Sequence, residues 1–321
     1  HDLGIVARHA DRVAVMQKGR IVETNPVAQF FDTQQHPYSR ELYAARPRLD
    51  SCLSRPERKP SPVLLEVEQF SVHYPVRRGG LLRTVARVPA VDGVSFTLQR
   101  GETLALVGES GCGKTTLGKG LIDLVQKTAG VVRLDGLPVD YRHPGTRRHL
   151  CQSVQIVFQD PYSAMNPRLL VGDIIAEGMI SLRPEWSARE RQDRIRMLLS
   201  QVGLPDHALS RYPHEFSGGQ RQRISIARAL AVEPRVLICD EPTSALDVSV
   251  QARILDLLRS FQSTLGLGYL FITHDLAVVA ELADRVAVMQ SGRIVETGPT
   301  RRILFTPQHA YTQRLLEDSP C

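Results

Sequence analysis

A lysine and two threonines follow closely spaced glycines at residues 108–116, and this combination suits the binding of phosphate groups. An apolar run at 104–107, short enough for a buried strand, precedes the stretch, and a helix-like pattern follows it. In that context the glycines let backbone N–H groups turn toward phosphate oxygens, and the start of the helix adds a positive dipole end. Lys114 would reach the β- and γ-phosphates, and Thr115 would offer its hydroxyl to Mg²⁺. The predicted cradle, here called the phosphate loop, consists of Gly108, Glu109, Ser110, Gly111, Cys112, Gly113, Lys114, Thr115 and Thr116.

Two adjacent carboxylates, Asp240 and Glu241, end the apolar run at 236–239. At the carboxyl end of a strand, Asp240 could hold Mg²⁺ opposite Thr115, directly or through water. Glu241 would lie nearer the γ-phosphate and could take a proton from an attacking water. A helix cap or a solvated turn is the alternative interpretation of an acidic pair after a strand.

A serine, two glycines and a glutamine at 217–220 precede a second helix-like pattern. Ser217 can cap that helix, and the glycines let the backbone close on an anion. His274 follows an apolar run at 269–273 and could hydrogen-bond a terminal phosphate. An ordinary capped helix and a structural histidine are the alternatives for these two features.

The chain is long enough for two average domains, or for one large domain with an appendage. It has 321 residues, of which 42% are apolar, and a net charge of +6. Its basic residues are scattered, and the nearest cluster, Arg77, Arg78 and Arg83, favours a solvated loop over a nucleic-acid site. The cysteines lack metal-ligand spacing and indicate a reduced, cytosolic protein. We find no signal peptide, and no apolar run approaches the roughly 18 residues that a membrane span needs.

One part of the sequence is repeated. Residues 1–24 align without gaps with residues 274–297, and 19 of the 24 positions are identical. The similarity continues at the same offset, with 35–38 matching 308–311. A period this long, seen once, predicts a pair of similar domains in tandem rather than a solenoid.

The repeat and the composition predict the domain organisation. We expect residues 1–48 to be the C-terminal remnant of a first domain, so that the chain is a fragment of a longer tandem protein. Residues 49–63 are rich in proline and charge, which predicts an extended linker. A complete domain is expected at 64–298, followed by a C-terminal extension at 299–321.

Strand-like and helix-like segments alternate through the complete domain, which predicts an α/β fold with a P-loop NTPase core and a mainly parallel sheet. Alternating patterns at 66–74 and 91–99 predict an antiparallel β subdomain. Residues 161–232 predict a helical subdomain that carries Ser217. After the phosphate loop, the apolar pattern of 117–125 predicts a helix. The remaining predicted strands are 153–158, 235–239 and 269–273, with a hairpin formed by 285–289 and 293–295.

Together these motifs resemble the nucleotide-binding domains of ATP-binding cassette (ABC) transporters, over about residues 64–298. The segments that match in family order are the phosphate loop, Gln159, the signature Ser217-Gly218-Gly219-Gln220, the Asp240-Glu241 pair, the loop 244–247 and His274.

The resemblance implies an ATPase whose cofactors are ATP and Mg²⁺. Its catalytic residues would be Glu241, His274 and Gln159. Its Mg²⁺ ligands would be Thr115, Gln159 and Asp240.

The resemblance also implies how ATP is held. Tyr74 would stack on adenine, and Asp247 would couple two nucleotide sites. ATP would be sandwiched between Lys114 of one domain and Ser217 of a partner domain. The residues assigned to ATP are Tyr74, Gly108, Glu109, Ser110, Gly111, Cys112, Gly113, Lys114, Thr115, Thr116, Ser217, Gly218, Gly219, Gln220 and Asp247.

Two segments, 158–167 and 307–312, are similar to the peptide-importer branch of the family. This implies the motor subunit of a bacterial uptake system on the cytoplasmic face of the inner membrane. Its partners would be a second ABC ATPase domain, two transmembrane permease subunits and, indirectly, an extracytoplasmic solute-binding protein, with no nucleic acid. Some members of the branch hold an iron–sulfur cluster near the C-terminus, but only Cys321 lies there, so none is expected.

The alternative is a non-transport ABC ATPase that acts on nucleic acid or ribosomes. Lys114 and Ser217 are too close in sequence for the long coiled coils of chromosome-maintenance members. Zinc cysteines are missing, and the predicted linker is short and proline-rich rather than long and charged. A third possibility, an ATP-binding structural subunit without turnover, is disfavoured by Glu241 and His274. The sequence leaves the solute open among dipeptides, oligopeptides, glutathione, nickel complexes and peptide antibiotics.

Overall fold

The structure is a computed structural model that describes residues 3–56, 58–78, 83–244 and 246–318. The strands are β1 (Arg12–Gln17), β2 (Arg20–Pro26), β3 (Val63–Arg78), β4 (Arg83–Gln99), β5 (Thr103–Val107), β6 (Ala129–Leu134), β7 (Leu137–Pro138), β8 (Val154–Val157), β9 (Val236–Asp240), β10 (Gly268–Ile272), β11 (Arg285–Gln290) and β12 (Arg293–Pro299). The α-helices are α1 (Leu3–His9), α2 (Val27–Asp32), α3 (Pro37–Ala44), α4 (Lys114–Leu121), α5 (Pro144–Ser153), α6 (Val171–Leu182), α7 (Ala188–Gln201), α8 (Gly218–Leu230), α9 (Val248–Leu265), α10 (Leu276–Leu282), α11 (Thr300–Phe305) and α12 (Ala310–Glu317).

The central sheet has the strand order β12-β11-β5-β10-β9-β8 and is parallel except for the β11–β12 hairpin. Every residue of β5, β9 and β10 is buried, because packed layers cover both faces of these strands. Parallel strands end at the same edge of a sheet. The phosphate loop, Asp240 and the segment that leads to His274 therefore meet at one edge.

A second sheet, of order β4-β3-β6-β7, is antiparallel and forms the predicted β subdomain. Phe70 and Val72 of β3 share a buried cluster with Leu117 and Leu121 of α4. At Gly120 a Cβ atom would stand 3.0 Å from the Phe70 ring, so the helix and the sheet pack closely. This contact places α4, which begins at Lys114, against the β subdomain.

Helices α6, α7 and α8 form the predicted helical subdomain around their own buried cluster, which includes Ile174, Leu198 and Ile224. Helix α7 begins with a capping box, in which Ser187 and Glu190 each bond the other's backbone N–H. Helix α8 begins in the same way at Ser217, as described below. Its buried face continues the cluster into β9 and α9.

The helix after the phosphate loop is shorter than the apolar pattern predicted. It ends at Leu121, whereas the pattern continued to Val125. Asp123 adopts the left-handed backbone conformation, with φ of 63°, and this turns the chain out of the helix. Leu124 consequently points to solvent and is 59% exposed.

The predicted linker is not extended along its whole length. Residues Leu49–Leu53 form a 3-10 helix, and Cys52 is buried in a cluster with Ala280 and Ile303. The Arg55 guanidinium then donates to the carbonyl oxygens of Glu281 and Ala283. These contacts fold the first part of the segment onto α10 and α11, which composition alone did not indicate.

The sequence repeat is also a structural repeat. Helix α1, strands β1 and β2, and helices α2 and α3 have the bounds of α10, β11, β12, α11 and α12, displaced by 273 residues. Both hairpins carry a bulge at the same place, after Val15 and after Val288. Their surroundings differ, because β11 pairs with β5 whereas β1 and β2 form a separate two-stranded sheet. Met289 is accordingly buried, and its counterpart Met16 is 60% exposed.

A buried carboxylate, Glu296 of β12, anchors helix α12. It accepts hydrogen bonds from the N–H groups of Gln308 (3.0 Å) and His309 (3.1 Å). Burial alone would raise the pKa of Glu296, but these N–H groups and the nearby Thr312 hydroxyl outweigh it and hold the pKa below its usual range. His309 in turn accepts the N–H of Tyr311 and caps the helix.

We expect Glu296→Gln to lower the free energy of unfolding by about 1–3 kcal/mol at pH 7, because the N–H groups lose a charged acceptor. The folded-state pKa is depressed, so this stabilisation is present above the ordinary glutamate pKa of about 4.3 and is lost as the pH falls through the folded value. Denaturant unfolding at pH 7 and pH 3 should show a difference that shrinks at the lower pH. A difference that is equal at both values would contradict the anchoring role, and the exposed Glu185→Gln serves as the control.

Candidate active site

The phosphate loop is held so closely that two of its glycines cannot be replaced. Gly108 and Gly113 have φ of 149° and 110°, a region that favours glycine. A Cβ at Gly108 would stand 2.1 Å from the Met289 carbonyl oxygen, and one at Gly113 would stand 2.1 Å from that of Ala90. The loop is therefore fixed between β11 and β4, with Ser110 and Gly111 exposed on its outer side.

The ammonium group of Lys114 lies inside this loop, and the side chain is only 6% exposed. Its Nζ donates to the carbonyl oxygens of Gly108 (2.7 Å) and Glu109 (2.9 Å) and lies 3.7 Å from Cys112 Sγ. Burial raises the pKa of the Cys112 thiol, so Cys112 stays a neutral thiol near pH 7. The loop thus presents one concentrated positive charge to an incoming anion.

Thr115 and Asp240 are in direct contact, which places two candidate Mg²⁺ ligands side by side. The Thr115 hydroxyl donates to Asp240 Oδ1 at 3.0 Å. Burial raises the pKa of Asp240, and the hydrogen bond from Thr115 acts in the opposite direction. The described residues hold no group of three or more His, Cys, Asp or Glu suited to a metal ion. The two oxygens still fit Mg²⁺, which commonly takes one or two protein ligands together with water and substrate phosphates.

Glu241 is held by the other two predicted catalytic residues. Gln159 Nε2 donates to its Oε2 at 2.8 Å, and His274 Nδ1 lies 3.2 Å from its Oε1. Its backbone is in the left-handed region, with φ of 45°, and its N–H donates to the Ile272 carbonyl at 2.9 Å. The ends of β8, β9 and β10 thus bring together three side chains that are far apart in the sequence.

Ser217 of the signature caps helix α8, as predicted. Ser217 Oγ accepts the N–H of Gln220 at 3.4 Å, and Gln220 Oε1 accepts the N–H of Ser217 at 3.0 Å. Gly218 opens α8, and at Gly219 a Cβ would stand 2.4 Å from Val250 Cγ1, so α8 and α9 touch there. Within the described ranges, no hydrogen bond connects this segment to the phosphate loop.

Asp247 and Tyr74 lie outside the contacts made by the loop and the acidic pair. Asp247 caps α9 by accepting the Val250 N–H at 2.9 Å and the Ser249 hydroxyl at 2.7 Å. Burial would raise the pKa of Asp247, but these hydrogen bonds outweigh it and lower the pKa. Tyr74 lies on β3 opposite Val88 and is 43% exposed, so its ring is available for stacking. Thr116 lies in the first turn of α4.

Sequence reasoning missed a contact to the phosphate loop from the C-terminal extension. The hydroxyl of Tyr311 accepts the backbone N–H of Glu109 at 3.0 Å. The only signal in the sequence was the repeat itself, which carries a tyrosine at this position in both copies.

A second missed contact joins the segment after Gln159 to the signature helix. The Arg221 guanidinium lies 5.0 Å from the centre of the Tyr162 ring. It also donates to the carbonyl oxygens of Pro213 (2.9 Å) and His214 (3.2 Å), just before Ser217. Arg221 therefore links the two segments physically.

Two family profiles match the sequence. That of the ABC transporter family matches residues 91–244, which contain the phosphate loop, the signature and the acidic pair. That of the oligopeptide/dipeptide transporter C-terminal region matches residues 22–70 and 295–320. The second profile thus matches the later part of both copies of the structural repeat.

Curated relatives include importer ATP-binding proteins. The chain is 48% identical over 316 residues to the peptidoglycan transport ATP-binding protein YejF of Agrobacterium fabrum, covering 98% of the chain and 57% of that protein. It is 45% identical over 344 residues to the glutathione import ATP-binding protein GsiA of Escherichia coli K12, covering 100% of the chain and 55% of that protein. The chain therefore spans about half the length of the curated relatives it matches.

Solved structures share the fold. The cbiO1 protein of Clostridium perfringens, part of the ABC transporter complex cbiONQ, matches with a TM-score of 0.65 and 30% identity, covering 76% of this chain and 91% of that one. The dimeric cassette MJ0796 bound to ADP and Pi matches with a TM-score of 0.64 and 26% identity, covering 74% and 99%. The α/β fold predicted from sequence is therefore confirmed. None of the helices in the described ranges has the length and apolar character needed to cross a membrane.

Proposed function

The chain belongs to the ABC transporter family of ATPases, and on that premise we propose that it is the ATP-hydrolysing motor of an importer for peptides or related small solutes. The observation that carries the proposal is the contact of Gln159, Glu241 and His274 at the sheet edge that also holds Lys114. A purely structural ATP-binding subunit would not need a carboxylate positioned from both sides.

In this proposal the phosphates of ATP bind the phosphate loop, and Lys114 exchanges its backbone partners for phosphate oxygens. Thr115 and Asp240 would hold Mg²⁺, which supplies positive charge to the phosphates, and Gln159 would complete the set through its amide oxygen. Glu241 takes a proton from the attacking water, while Gln159 and His274 keep its two oxygens oriented. Tyr74 is proposed to stack on the adenine ring.

The proposed site is completed by a second domain. Ser217 of the signature caps its own helix, and among the described residues no hydrogen bond joins the signature to its own phosphate loop. We therefore propose that the signature lies over the phosphate loop of a partner domain. We further propose that residues 1–48 belong to an upstream domain of the same kind. The exposed Met16 supports this, because its counterpart Met289 is buried where β11 lies beside β5.

The remaining partners and the location are proposed from the relatives. Importer ATP-binding proteins among them favour two permease subunits, a solute-binding protein acting indirectly, and a position on the cytoplasmic face of the inner membrane. We propose that the segment after Gln159 contacts the permease, because Arg221 connects it to the signature through Tyr162. Peptides, glutathione and peptidoglycan fragments are the candidate solutes. No relative reported above favours the alternative of a nucleic-acid ATPase.

We expect ATPase activity whose specific rate rises with protein concentration, because two copies must associate before a phosphate loop meets a signature. Ser217→Arg should abolish it by filling the partner's site. The matched control is Ser187→Arg, which removes an equivalent helix cap, worth about 0.5–2 kcal/mol, on a different helix. Phosphate release measured over a dilution series tests both variants.

A specific rate that stays constant on dilution, in a species shown to be monomeric by light scattering, would reject the shared site. Equal loss of activity in the Ser187 and Ser217 variants would indicate that only folding had been affected.

A further inference from the structure

The ring of Tyr311 lies in the core and its hydroxyl reaches the active site. The residue is 4% exposed and shares a buried cluster with Ala105 and Val107 of β5, the strand that leads into the phosphate loop. Its hydroxyl oxygen accepts the N–H of Glu109 at 3.0 Å. Burial raises the pKa of Tyr311, so the hydroxyl is a neutral acceptor at physiological pH. A segment of the C-terminal extension is thereby bonded directly to the loop.

The helix that carries Tyr311 has a fixed position. Glu296 of β12 holds the N–H groups of Gln308 and His309, and the His309 ring accepts the N–H of Tyr311 itself. Because β12 pairs with β11, these bonds connect α12 to the central sheet. The tyrosine hydroxyl is therefore presented from a rigid support rather than from a free tail.

The peptide groups of Glu109 are held on both sides. Tyr311 holds its N–H, while its carbonyl oxygen accepts from Lys114 Nζ at 2.9 Å and from the Cys112 N–H at 3.3 Å. When Lys114 turns to phosphate, the carbonyl of Glu109 loses its charged partner. The hydrogen bond that the Glu109 N–H donates to Tyr311 then remains and keeps this part of the loop in place.

The same support is built a second time in the chain. Glu23 holds the N–H groups of Gln35 and His36, and the His36 ring accepts the N–H of Tyr38. Each of these residues is displaced by 273 positions from its counterpart in the second copy. Tyr38 is half-buried, whereas Tyr311 is buried against a phosphate loop. The repeated unit thus keeps the anchor and the tyrosine together.

From these observations we propose that Tyr311 is a positioning residue for the ATP site, which holds the phosphate loop in its nucleotide-ready shape through the Glu109 N–H. Helix α12 then belongs functionally to the ATP site, and a ligand or partner that moved α12 would change the affinity for ATP. The proposal rests on the proposed ATPase function, but the state of the loop can be measured without nucleotide.

The test is Tyr311→Phe, which removes the hydroxyl and keeps the buried ring. In the nucleotide-free protein, exchange of the Glu109 amide hydrogen should accelerate about 3–10-fold, as expected for the loss of one hydrogen bond. The dissociation constant for MgATP should rise about 2–10-fold, with kcat at saturating ATP within about twofold of the parent, because a preorganised loop contributes chiefly to binding. Tyr38→Phe is the matched control and should change neither quantity. Glu296→Gln, which loosens the support of α12, should also accelerate exchange at Glu109.

Unchanged exchange at Glu109 in Tyr311→Phe would overturn the proposal, and so would faster exchange with unchanged affinity for MgATP. Equal effects in Tyr38→Phe would overturn it as well, since that hydroxyl makes no described bond to the loop. If the parent chain failed to bind ATP, the proposed function would fall, whereas exchange at Glu109 would still decide whether Tyr311 holds the loop.

Discussion

Replacing Glu241 by glutamine should leave ATP binding intact and slow turnover by about 10²–10⁴-fold, the usual contribution of a positioned general base. Glutamine keeps the shape of the side chain but cannot accept the proton of the attacking water. ATP titration by calorimetry and phosphate release under saturating ATP separate the two quantities. The closed, ATP-loaded dimer should accumulate, and size-exclusion chromatography can detect it.

The geometry around Glu241 explains why replacing one carboxylate oxygen by an amide nitrogen should slow turnover so strongly. Both oxygens of Glu241 are engaged, one by Gln159 at 2.8 Å and one by His274 at 3.2 Å. An amide can accept at only one of its two ends, so at least one of these contacts must also change. The left-handed backbone at Glu241, held by the Ile272 carbonyl, directs the side chain into this position.

Glu233→Gln is the matched control for this prediction. Glu233 is also a glutamate with positive φ, 58°, but it lies three residues beyond the end of α8 and pairs with Arg194. Its substitution should leave turnover within about twofold, because the Glu233 carboxylate is 54% exposed and makes no described contact with Glu241. If Glu241→Gln also stayed within a few-fold of the parent, a different residue would have to be the base.

The buried strands of the central sheet could be predicted because burial on both faces leaves a continuous apolar run, whereas β6 and β7 of the second sheet were not predicted. Runs such as 236–239 and 269–272 are apolar throughout, as is typical of a strand that packed layers cover on both faces. The prediction that Asp240 lies near Thr115 then followed from the shared edge of a parallel sheet. The distance of 3.0 Å between their side chains required the structure.

The early end of α4 and the 3-10 helix in the linker were harder to predict. The pattern of 117–125 suits a helix, but Asp123 adopts a left-handed conformation and ends it early. Leu49 and Cys52 lie three positions apart, and their packing against α10 and α11 folds Leu49–Leu53 into a 3-10 helix although the segment around it is rich in proline. In both places a backbone turn or tertiary packing overrode the local preference of the sequence.

The contacts of Tyr311 and Glu296 could not be found from single motifs. Glu109 and Tyr311 are separated by 202 residues, and neither belongs to a pattern that indicates a hydrogen bond. The repeat placed a glutamate, a histidine and a tyrosine at the same spacing twice. It did not show that one copy packs its tyrosine against a phosphate loop while the other does not.

Lys114→Ala should weaken ATP binding by about 10–100-fold. The variant loses a charge-assisted hydrogen bond to phosphate, which is worth about 1.5–3 kcal/mol. The ammonium is already buried in the loop, so it need not be desolvated when ATP arrives. It only exchanges the carbonyl oxygens of Gly108 and Glu109 for phosphate oxygens, which carry more charge. Calorimetric titration with MgATP measures the loss.

Lys127→Ala separates this effect from a general loss of charge or stability. Lys127 Nζ also donates to a backbone carbonyl, that of Gly130 at 2.8 Å, and lies over the Tyr141 ring, but it makes no described bond to the phosphate loop. Its variant should keep the affinity of the parent. In Lys114→Ala the two loop carbonyls lose their charged donor even without nucleotide, so a modest fall in unfolding temperature should accompany the loss of binding. An unchanged dissociation constant in Lys114→Ala would mean that the loop does not bind the phosphates, and the assignment of the site would fail.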